Sequence, residues 1–204
     1  MLRPTLYCIS DPANGDPIAL LQAAARGAVG FFQFRHKDLD PEERLRIGAA
    51  LGSVPRRTTH LLVSRSWELA RAIGADGVHW PSDDFQRIGP TAERKRAIVG
   101  VSVHSLEDAV QAAECGVDYL LLAPVFAPLS KSPGRAPLGL AVLRRVCARV
   151  AVPVIALGGM RPEDFGSVLE AGAAGIAGIS LFGTPNQFEA TLESFRRACG
   201  GDTG

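Results

Sequence analysis

Short apolar runs recur along the chain, and segments with the spacing of amphipathic helices separate them. Within each run, Val, Ile, Leu, Phe and Ala follow one another almost without polar residues. Such runs are typical of parallel strands whose two faces are both covered by other parts of the protein. They predict eight strands, at Leu6–Ser10, Gly30–Arg35, His60–Ser64, Gly77–Trp80, Ile98–Val103, Tyr119–Val125, Val154–Leu157 and Ile176–Ile179.

The segments between the runs carry helix start and stop signals. Ser105 followed by Asp108 resembles an N-terminal cap, and Pro162 suits the first position of a helix. A glycine, which adopts a left-handed backbone easily, ends several helices and leads directly into a strand. These glycines are Gly27, Gly74, Gly116 and Gly172. Their regular recurrence predicts a single (β/α)8 TIM barrel domain over residues 1–204, and a doubly wound open sheet is the alternative.

The composition excludes several classes of protein. Of the 204 residues, 47% are hydrophobic and 21% are charged, and the net charge is +1. A globular chain of this charge is expected to have no nucleic-acid partner and no attraction to acidic membranes. The four cysteines lack metal-binding spacing, and no apolar stretch has the length of a signal or membrane segment. We therefore expect a cytoplasmic protein that binds any anion at a local site.

Glycine-rich sequences follow the last two predicted strands, where barrels of this kind commonly bind phosphate. Gly158 and Gly159 come after the seventh strand, and Ile179 and Ser180 close the eighth. Paired glycines let backbone N–H groups approach an anion closely. Tight turns alone would also explain the glycines, but their place at both strand ends favours a phosphate site.

The second strand ends in the alternating sequence QFRHK at 33–37. Alternation along a strand places Gln33, Arg35 and Lys37 on one side. Unpaired cations are costly inside a barrel core, so we interpret this trio as a clamp for phosphate or diphosphate at the open end of the strand. Ion pairs with the aspartates that follow are the alternative interpretation.

Further polar residues follow the fifth and sixth strands. Ser102 and His104 end the fifth strand, and the loop 127–137 after the sixth carries Ser130 and Lys131. We interpret this loop either as a cationic cover for an anionic ligand or as a solvated loop. A histidine at a strand end can act as an acid or a base near neutral pH, although a buried, hydrogen-bonded histidine is more common.

Two adjacent carboxylates, Asp83 and Asp84, follow the fourth strand. Carboxylates in this place can hold a hard cation such as Mg²⁺. They can equally cap the next helix, as aspartate commonly does. The sequence by itself favours the cap.

Several short motifs occur in a fixed order along nearly the whole chain. They are Gln33-x-Arg35-x-Lys37, Gly74-Ala75-Asp76-Gly77-Val78-His79, Gly100-x-Ser102-x-His104-Ser105, Pro124-Val125-Phe126, Ser130-Lys131, Ala156-Leu157-Gly158-Gly159-Met160, and Gly175-Ile176-Ala177 through Ser180. In this order they resemble the thiamin phosphate synthase/TenI family from about Leu6 to Phe182. The resemblance implies a (β/α)8 barrel of thiamin biosynthesis with phosphorylated thiazole and pyrimidine ligands, and a dimer or larger homo-oligomer.

The synthase branch of that family joins an aminopyrimidine diphosphate to a thiazole phosphate, with Mg²⁺ helping the diphosphate to leave. By resemblance, Arg35, Lys37 and Lys131 would act as catalytic cations on the diphosphate, which agrees with the clamp interpretation. The resemblance implies substrate binding by Gln33, Gly159, Ile179 and Ser180, and metal binding by Asp84. The further candidates for substrate binding are Arg65, Ser102, Ser130 and Gly158.

The chain departs from the synthase pattern at the metal site and in the loop after the sixth strand. Arg65 stands where the pattern has a Mg²⁺-binding aspartate, and a guanidinium has no lone pair for a metal. Either Asp84 and the phosphates hold Mg²⁺ weakly, or Arg65 contacts the diphosphate in place of the metal. Pro128 replaces a threonine of the pattern, and Ser130 conservatively replaces a second one.

The tautomerase branch, TenI, also lacks that aspartate, and the sequence from Trp80 to Phe85 resembles it more closely. Its acid–base histidine lies just before the Val-Phe pair, where this chain has Pro124. His104 and His79 are the candidates to replace it. Three alternatives therefore stay open: a synthase, a thiazole tautomerase, and a ligand-binding or regulatory homologue without catalysis.

Overall fold

In the computed structural model, eight parallel strands pair in chain order and close into a barrel. The structure describes residues 4–36, 38–88, 97–127 and 135–200. The strands are β1 Thr5–Ile9, β2 Phe31–Phe34, β3 His60–Ser64, β4 Gly77–Trp80, β5 Ile98–Val103, β6 Tyr119–Leu122, β7 Val154–Leu157 and β8 Gly175–Gly178. The closing pair is β1 with β8, in which Leu6 lies opposite Ile176. The predicted (β/α)8 barrel is confirmed, and the open-sheet alternative is wrong.

An α-helix follows each strand within the described residues. The helices are α1 Pro17–Arg26, α2 Pro41–Gly52, α3 Trp67–Ala72, α4 Ser82–Ile88, α5 Leu106–Glu114, α6 Gly139–Arg149, α7 Phe165–Glu170 and α8 Pro185–Ala198. The predicted cap of α5 is present, because Ser105 Oγ accepts a hydrogen bond from the Asp108 amide at 3.0 Å. Pro162 begins a short 3-10 helix, Pro162–Asp164, that precedes α7. No helix among the described residues is long and apolar enough to cross a bilayer.

The predicted ends of β1, β2 and β8 differ from the structure by one residue each, and two further predictions differ for a physical reason. The sixth strand ends at Leu122 rather than Val125, because Pro124 has no N–H to continue the ladder. After α1, the left-handed residue is Ala28, with φ 54°, whereas Gly27 has φ −78°. Gly74, Gly116 and Gly172 do have the positive φ that the sequence predicts.

The side chains of the strands divide into two apolar cores. Those that point outward pack against the helices, and Phe32, Phe34 and Leu61 are fully buried there. Those that point inward fill the barrel, among them Tyr7 and Tyr119. Alternation along β2 therefore sends Gln33 inward, towards the rim where the strands end.

Candidate active site

Two adjacent cavities open at the rim formed by the carboxyl ends of the strands. The first has a volume of about 240 Å³ and the second about 390 Å³. Arg35 and Leu157 line both, so the cavities share a wall. Cavities of this size, taken together, suit a ligand of ordinary metabolite size.

The predicted site residues divide between these cavities. Gln33, Arg35, Arg65 and Ser102 line the first. Arg35 also lines the second, together with Gly158, Gly159, Ile179 and Ser180. Lys37, Ser130 and Lys131 lie outside the described residues, so their predicted roles stay predictions.

A buried hydrogen-bond network forms the floor of the first cavity. Gln33 bonds to Tyr7 at 3.0 Å and to Ser64 at 2.6 Å. Tyr7 and Tyr119 join their hydroxyls at 2.9 Å across the barrel. Neither tyrosine was predicted as a site residue from the sequence. A phenol in an otherwise apolar strand is nevertheless a signal, because a buried hydroxyl usually has a partner.

His79 connects this network to Ser102. Its Nδ1 lies 2.9 Å from the Tyr119 hydroxyl and its Nε2 lies 2.8 Å from Ser102 Oγ. Burial, and then the positive charge of Arg35, lowers the pKa of His79 from 6.5 to about 3. The imidazole is therefore neutral at physiological pH.

This buried histidine predicts a pH dependence of stability. Between pH 6.5 and 3 the unfolded chain holds a proton on His79 that the folded protein does not hold. The free energy of unfolding should therefore fall as the pH falls through this window, by roughly 1.4 kcal/mol per pH unit from this group. Denaturant unfolding of the wild type and of His79→Gln should show that the variant lacks this contribution. Replacement of the exposed His60 by Gln is the control for the loss of a histidine elsewhere in the chain. Equal slopes for wild type and His79→Gln would contradict the assignment.

Arg35 is oriented at the boundary of the two cavities by two residues that directly follow β1. Its Nη1 donates to Asp11 Oδ2 at 2.6 Å, and its backbone amide donates to Ser10 Oγ at 3.1 Å. The ion pair is partly exposed, so solvent screens it and it adds little stability. Its consequence is geometric, because it fixes the Nη1 side of the guanidinium at the boundary of the two cavities.

Arg65 projects from the end of β3 with a left-handed backbone, φ 61°, which is uncommon for a residue other than glycine. Its Nε lies 2.8 Å from Asp84 Oδ2, and the two side chains form an ion pair. Arg44 lies nearby and donates from Nη2 to the Ser64 carbonyl at 2.6 Å. Burial, and then the charge of Arg65, lowers the pKa of Arg44. The first cavity thus has a positive side.

The described residues do not fit a magnesium ion held by protein ligands. Mg²⁺ requires oxygen ligands in nearly octahedral geometry. Asp84 lies in the first turn of α4 with its carboxylate paired to a guanidinium, whose charge repels a cation. Within the described ranges, no group of three His, Cys, Asp or Glu side chains could hold a metal.

The second cavity is bordered by backbone rather than by charged side chains. Gly158 and Gly159 have φ of 100° and 61°, and a Cβ at Gly159 would collide with the Ala127 carbonyl. Within the part of the chain that the structure describes, the N–H groups of Gly158, Gly159 and Ile179 donate to no backbone carbonyl. The glycines therefore serve a close approach of two loops, and they line the second cavity with N–H groups that have no backbone partner among the described residues.

The two other histidines near the rim differ in their surroundings. His36 is buried against Phe34, with ring centroids 5.3 Å apart, and burial lowers its pKa. His104 is half-buried and lines the first cavity. Its Nδ1 lies 2.7 Å from the Ala123 carbonyl oxygen, which can only accept, so Nδ1 carries the proton. Nε2 of neutral His104 is therefore the atom that can act as a base.

Comparison with known proteins agrees with this geometry. The family model described as thiamine monophosphate synthase matches residues 6–182. The chain belongs to the thiamine monophosphate synthase family. This membership assigns it to thiamine biosynthesis, and the matched segment includes every strand except the first residue of β1.

Other members of the thiamine monophosphate synthase family resemble the chain over most of its length. A thiamine-phosphate synthase of Chloroflexus aurantiacus is 34% identical over 183 residues, which cover 87% of this chain and 83% of that protein. A putative thiamine-phosphate synthase 2 of Aquifex aeolicus is 35% identical over 185 residues, covering 89% and 99%. The solved structure of a thiamine phosphate pyrophosphorylase from Pyrococcus furiosus has a TM-score of 0.80 and 30% identity, covering 100% and 98%.

Proposed function

We propose that the protein transfers an aminopyrimidine from its diphosphate to a thiazole phosphate, the reaction of a thiamine-phosphate synthase. The observation that carries this proposal is the pair of cavities that share Arg35. One cavity combines polar side chains with arginines, and the other exposes backbone N–H groups. A reaction of two anionic substrates needs two such subsites side by side.

The two subsites have different chemical tasks. In the first, the pyrimidine ring lies against Gln33 and Ser102, and its diphosphate lies towards Arg35 and Arg65. In the second, the thiazole phosphate accepts hydrogen bonds from the loop that contains Gly159. A C–N bond then forms at the thiazole nitrogen while the C–O bond to the diphosphate breaks, and the bonding electrons leave with the diphosphate. Fixed cations favour this step because negative charge develops on the leaving group.

Within this proposal, Arg65 supplies positive charge where a metal ion would otherwise be required. Its two terminal nitrogens have no hydrogen-bond partner among the described residues. A guanidinium can bind phosphate oxygens with two parallel hydrogen bonds. Lys37 and Lys131 complete the proposed set of cations, and Ser130 is proposed to bind substrate beside Lys131.

This arrangement predicts diphosphate binding without a metal. In calorimetric titrations, inorganic pyrophosphate should bind in EDTA with an affinity within about threefold of that in Mg²⁺, because arginines replace the metal. Arg65→Ala should weaken binding about tenfold or more, the usual result of losing a charge-assisted pair. Arg65→Asp, which places a second carboxylate beside Asp84, should make binding depend on Mg²⁺. The exposed Arg46→Ala is the matched control, and a wild type that binds pyrophosphate only with Mg²⁺ would contradict the prediction.

Turnover tests the proposed reaction directly. The protein supplied with both substrates should form thiamin phosphate and release pyrophosphate in equal amounts. Binding of both substrates without turnover, at high protein concentration and with Mg²⁺ present, would instead indicate the regulatory or carrier homologue.

Thiazole tautomerisation is the second candidate function, and one observation favours it. His104 lines the cavity with its proton held on Nδ1, so Nε2 can remove and return a proton. The tautomerase would speed aromatisation of a thiazole carboxylate phosphate and lose that activity in His104→Gln. A rate equal to the uncatalysed one would exclude it.

A further inference from the structure

The buried network beneath the first cavity connects two serine hydroxyls that both line it. In order, its members are Ser102, His79, Tyr119, Tyr7, Gln33 and Ser64, joined by five hydrogen bonds of 2.6 to 3.0 Å. Its middle members are fully or almost fully buried. Each hydroxyl has one proton and can donate it to only one neighbour. Because these residues are buried, that neighbour is another member of the network or the ligand.

The direction of these bonds follows from the Gln33 end. The Gln33 amide lies with Oε1 towards Tyr7 and Nε2 towards Ser64. An amide oxygen only accepts, so the Tyr7 hydroxyl donates to Gln33. Burial raises the pKa of both tyrosines, so both phenols keep their protons. Tyr7 has used its proton, and Tyr119 must therefore donate to Tyr7.

The direction of the Tyr119 bond determines which ring nitrogen of His79 carries the proton. Tyr119 has given its proton to Tyr7, so its oxygen accepts from His79 and Nδ1 must carry a proton. A neutral imidazole has one N–H, so Nε2 is an acceptor. Ser102 therefore donates to His79 Nε2, and only the lone pairs of Ser102 Oγ remain for a ligand.

We propose that Tyr7, Tyr119 and His79 are positioning residues that set the hydrogen-bond polarity of the first cavity, making Ser102 an acceptor and Ser64 a donor towards the ligand. Ser64 Oγ accepts from Gln33 and donates to no acceptor among the described residues, so its proton is left for a ligand. The cavity then selects a flat ring that presents an N–H donor to Ser102 and a bare ring nitrogen to Ser64. An amino-substituted nitrogen heterocycle has both groups. This identification of the ring rests on the proposed function, whereas the polarity rests on the network alone.

The tautomer of His79 tests the polarity without any ligand. Long-range ¹H–¹⁵N correlation spectra of protein labelled with ¹⁵N-histidine distinguish a protonated from a bare ring nitrogen. There are four histidines, and the His79→Gln variant assigns the signal. We expect Nδ1–H and a bare Nε2 throughout the neutral pH range. A protonated Nε2 would overturn the proposal, because Ser102 would then accept from His79 and present its own O–H to the ligand.

Tyr7→Phe tests the coupling from two hydrogen bonds away. Without the Tyr7 oxygen, the buried Tyr119 proton has only His79 Nδ1 to accept it, so the histidine should change to the Nε2–H tautomer. Phe31→Leu is the matched control, because Phe31 stacks on both tyrosines at 5.5 Å without hydrogen bonding. The control should keep the native tautomer. The same tautomer in Tyr7→Phe as in wild type would overturn the coupling.

Ligand affinity supplies the functional measurement. Tyr7→Phe should weaken binding of the aminopyrimidine diphosphate about tenfold or more, since Ser102 would then accept from His79 and turn its own O–H towards the N–H of the ligand. An analogue with methyl in place of the amino group should bind variant and wild type equally, as should the thiazole phosphate. Equal weakening of all three ligands would show general damage and overturn the selective role. If the tautomers are as expected but no pyrimidine binds the wild type, the proposed function fails while the polarity stands.

Discussion

Arg35→Ala should lower kcat/KM for the proposed transfer roughly 10²- to 10³-fold, the usual result of losing one electrostatic contact to a leaving group. Arg35 lies on the wall shared by the two cavities, so its loss acts on both anionic subsites. The change also releases Asp11, now paired with Arg35 at 2.6 Å. A free carboxylate beside the second cavity would repel the thiazole phosphate and add to the loss.

Steady-state kinetics with each substrate varied in turn measures this effect. Arg149→Ala removes an exposed arginine at the end of α6, where helices of a barrel end far from the catalytic rim, and should leave kcat/KM unchanged. Arg35→Lys should recover part of the lost kcat/KM, because lysine keeps the positive charge but cannot form the bidentate hydrogen bond of a guanidinium. A kcat/KM of Arg35→Ala within about threefold of the wild-type value would show that the anionic groups do not bind at the wall shared by the two cavities.

Gly159→Ala should abolish binding of the thiazole phosphate at concentrations that saturate the wild type. Gly159 has φ 61°, which costs a residue with a Cβ roughly 1–2 kcal/mol. The new Cβ would also collide with the Ala127 carbonyl, which belongs to the loop after β6. The two loops must then separate, and the N–H groups that face the second cavity move with them.

Calorimetry with the thiazole phosphate and thermal unfolding together separate this effect from general instability. Gly166→Ala is the matched control, because a Cβ at Gly166 in α7 meets nothing within 4 Å. An alanine there should raise stability by about 0.5–1 kcal/mol through helix propensity and leave affinity unchanged. A Gly159→Ala protein that still binds the thiazole phosphate at wild-type affinity would exclude this loop as the phosphate subsite.

Local patterns predicted the parts of the site that lie at strand ends. Gln33 and Arg35 were assigned to one side of a strand by alternation, and Gln33 does point inward while Arg35 lies at the rim. Gly158 and Gly159 were predicted at the end of β7, where the structure has them. The carboxyl ends of the strands of a parallel barrel all lie at one rim, so residues assigned to those ends necessarily lie close together.

The partners of those residues could not be predicted in the same way. Tyr7 and Tyr119 are 112 positions apart and meet only because the barrel closes around its interior. Arg65 and Asp84 were each considered for the metal site, but their ion pair depends on the left-handed backbone at Arg65. No periodicity or spacing encodes such contacts, since they depend on how far each side chain reaches across the barrel.

The sequence by itself determined the eight strands, their burial on both faces, the helix caps and the glycine-rich loops, because each depends on residues close together in the chain. Only the tertiary structure decided that Asp84 is paired with Arg65 and that His79 connects Ser102 to a buried network. The physical reason is that both features are polar contacts, one an ion pair and one a hydrogen bond, between different βα units. Their existence is settled when the barrel closes, and no single unit contains both partners.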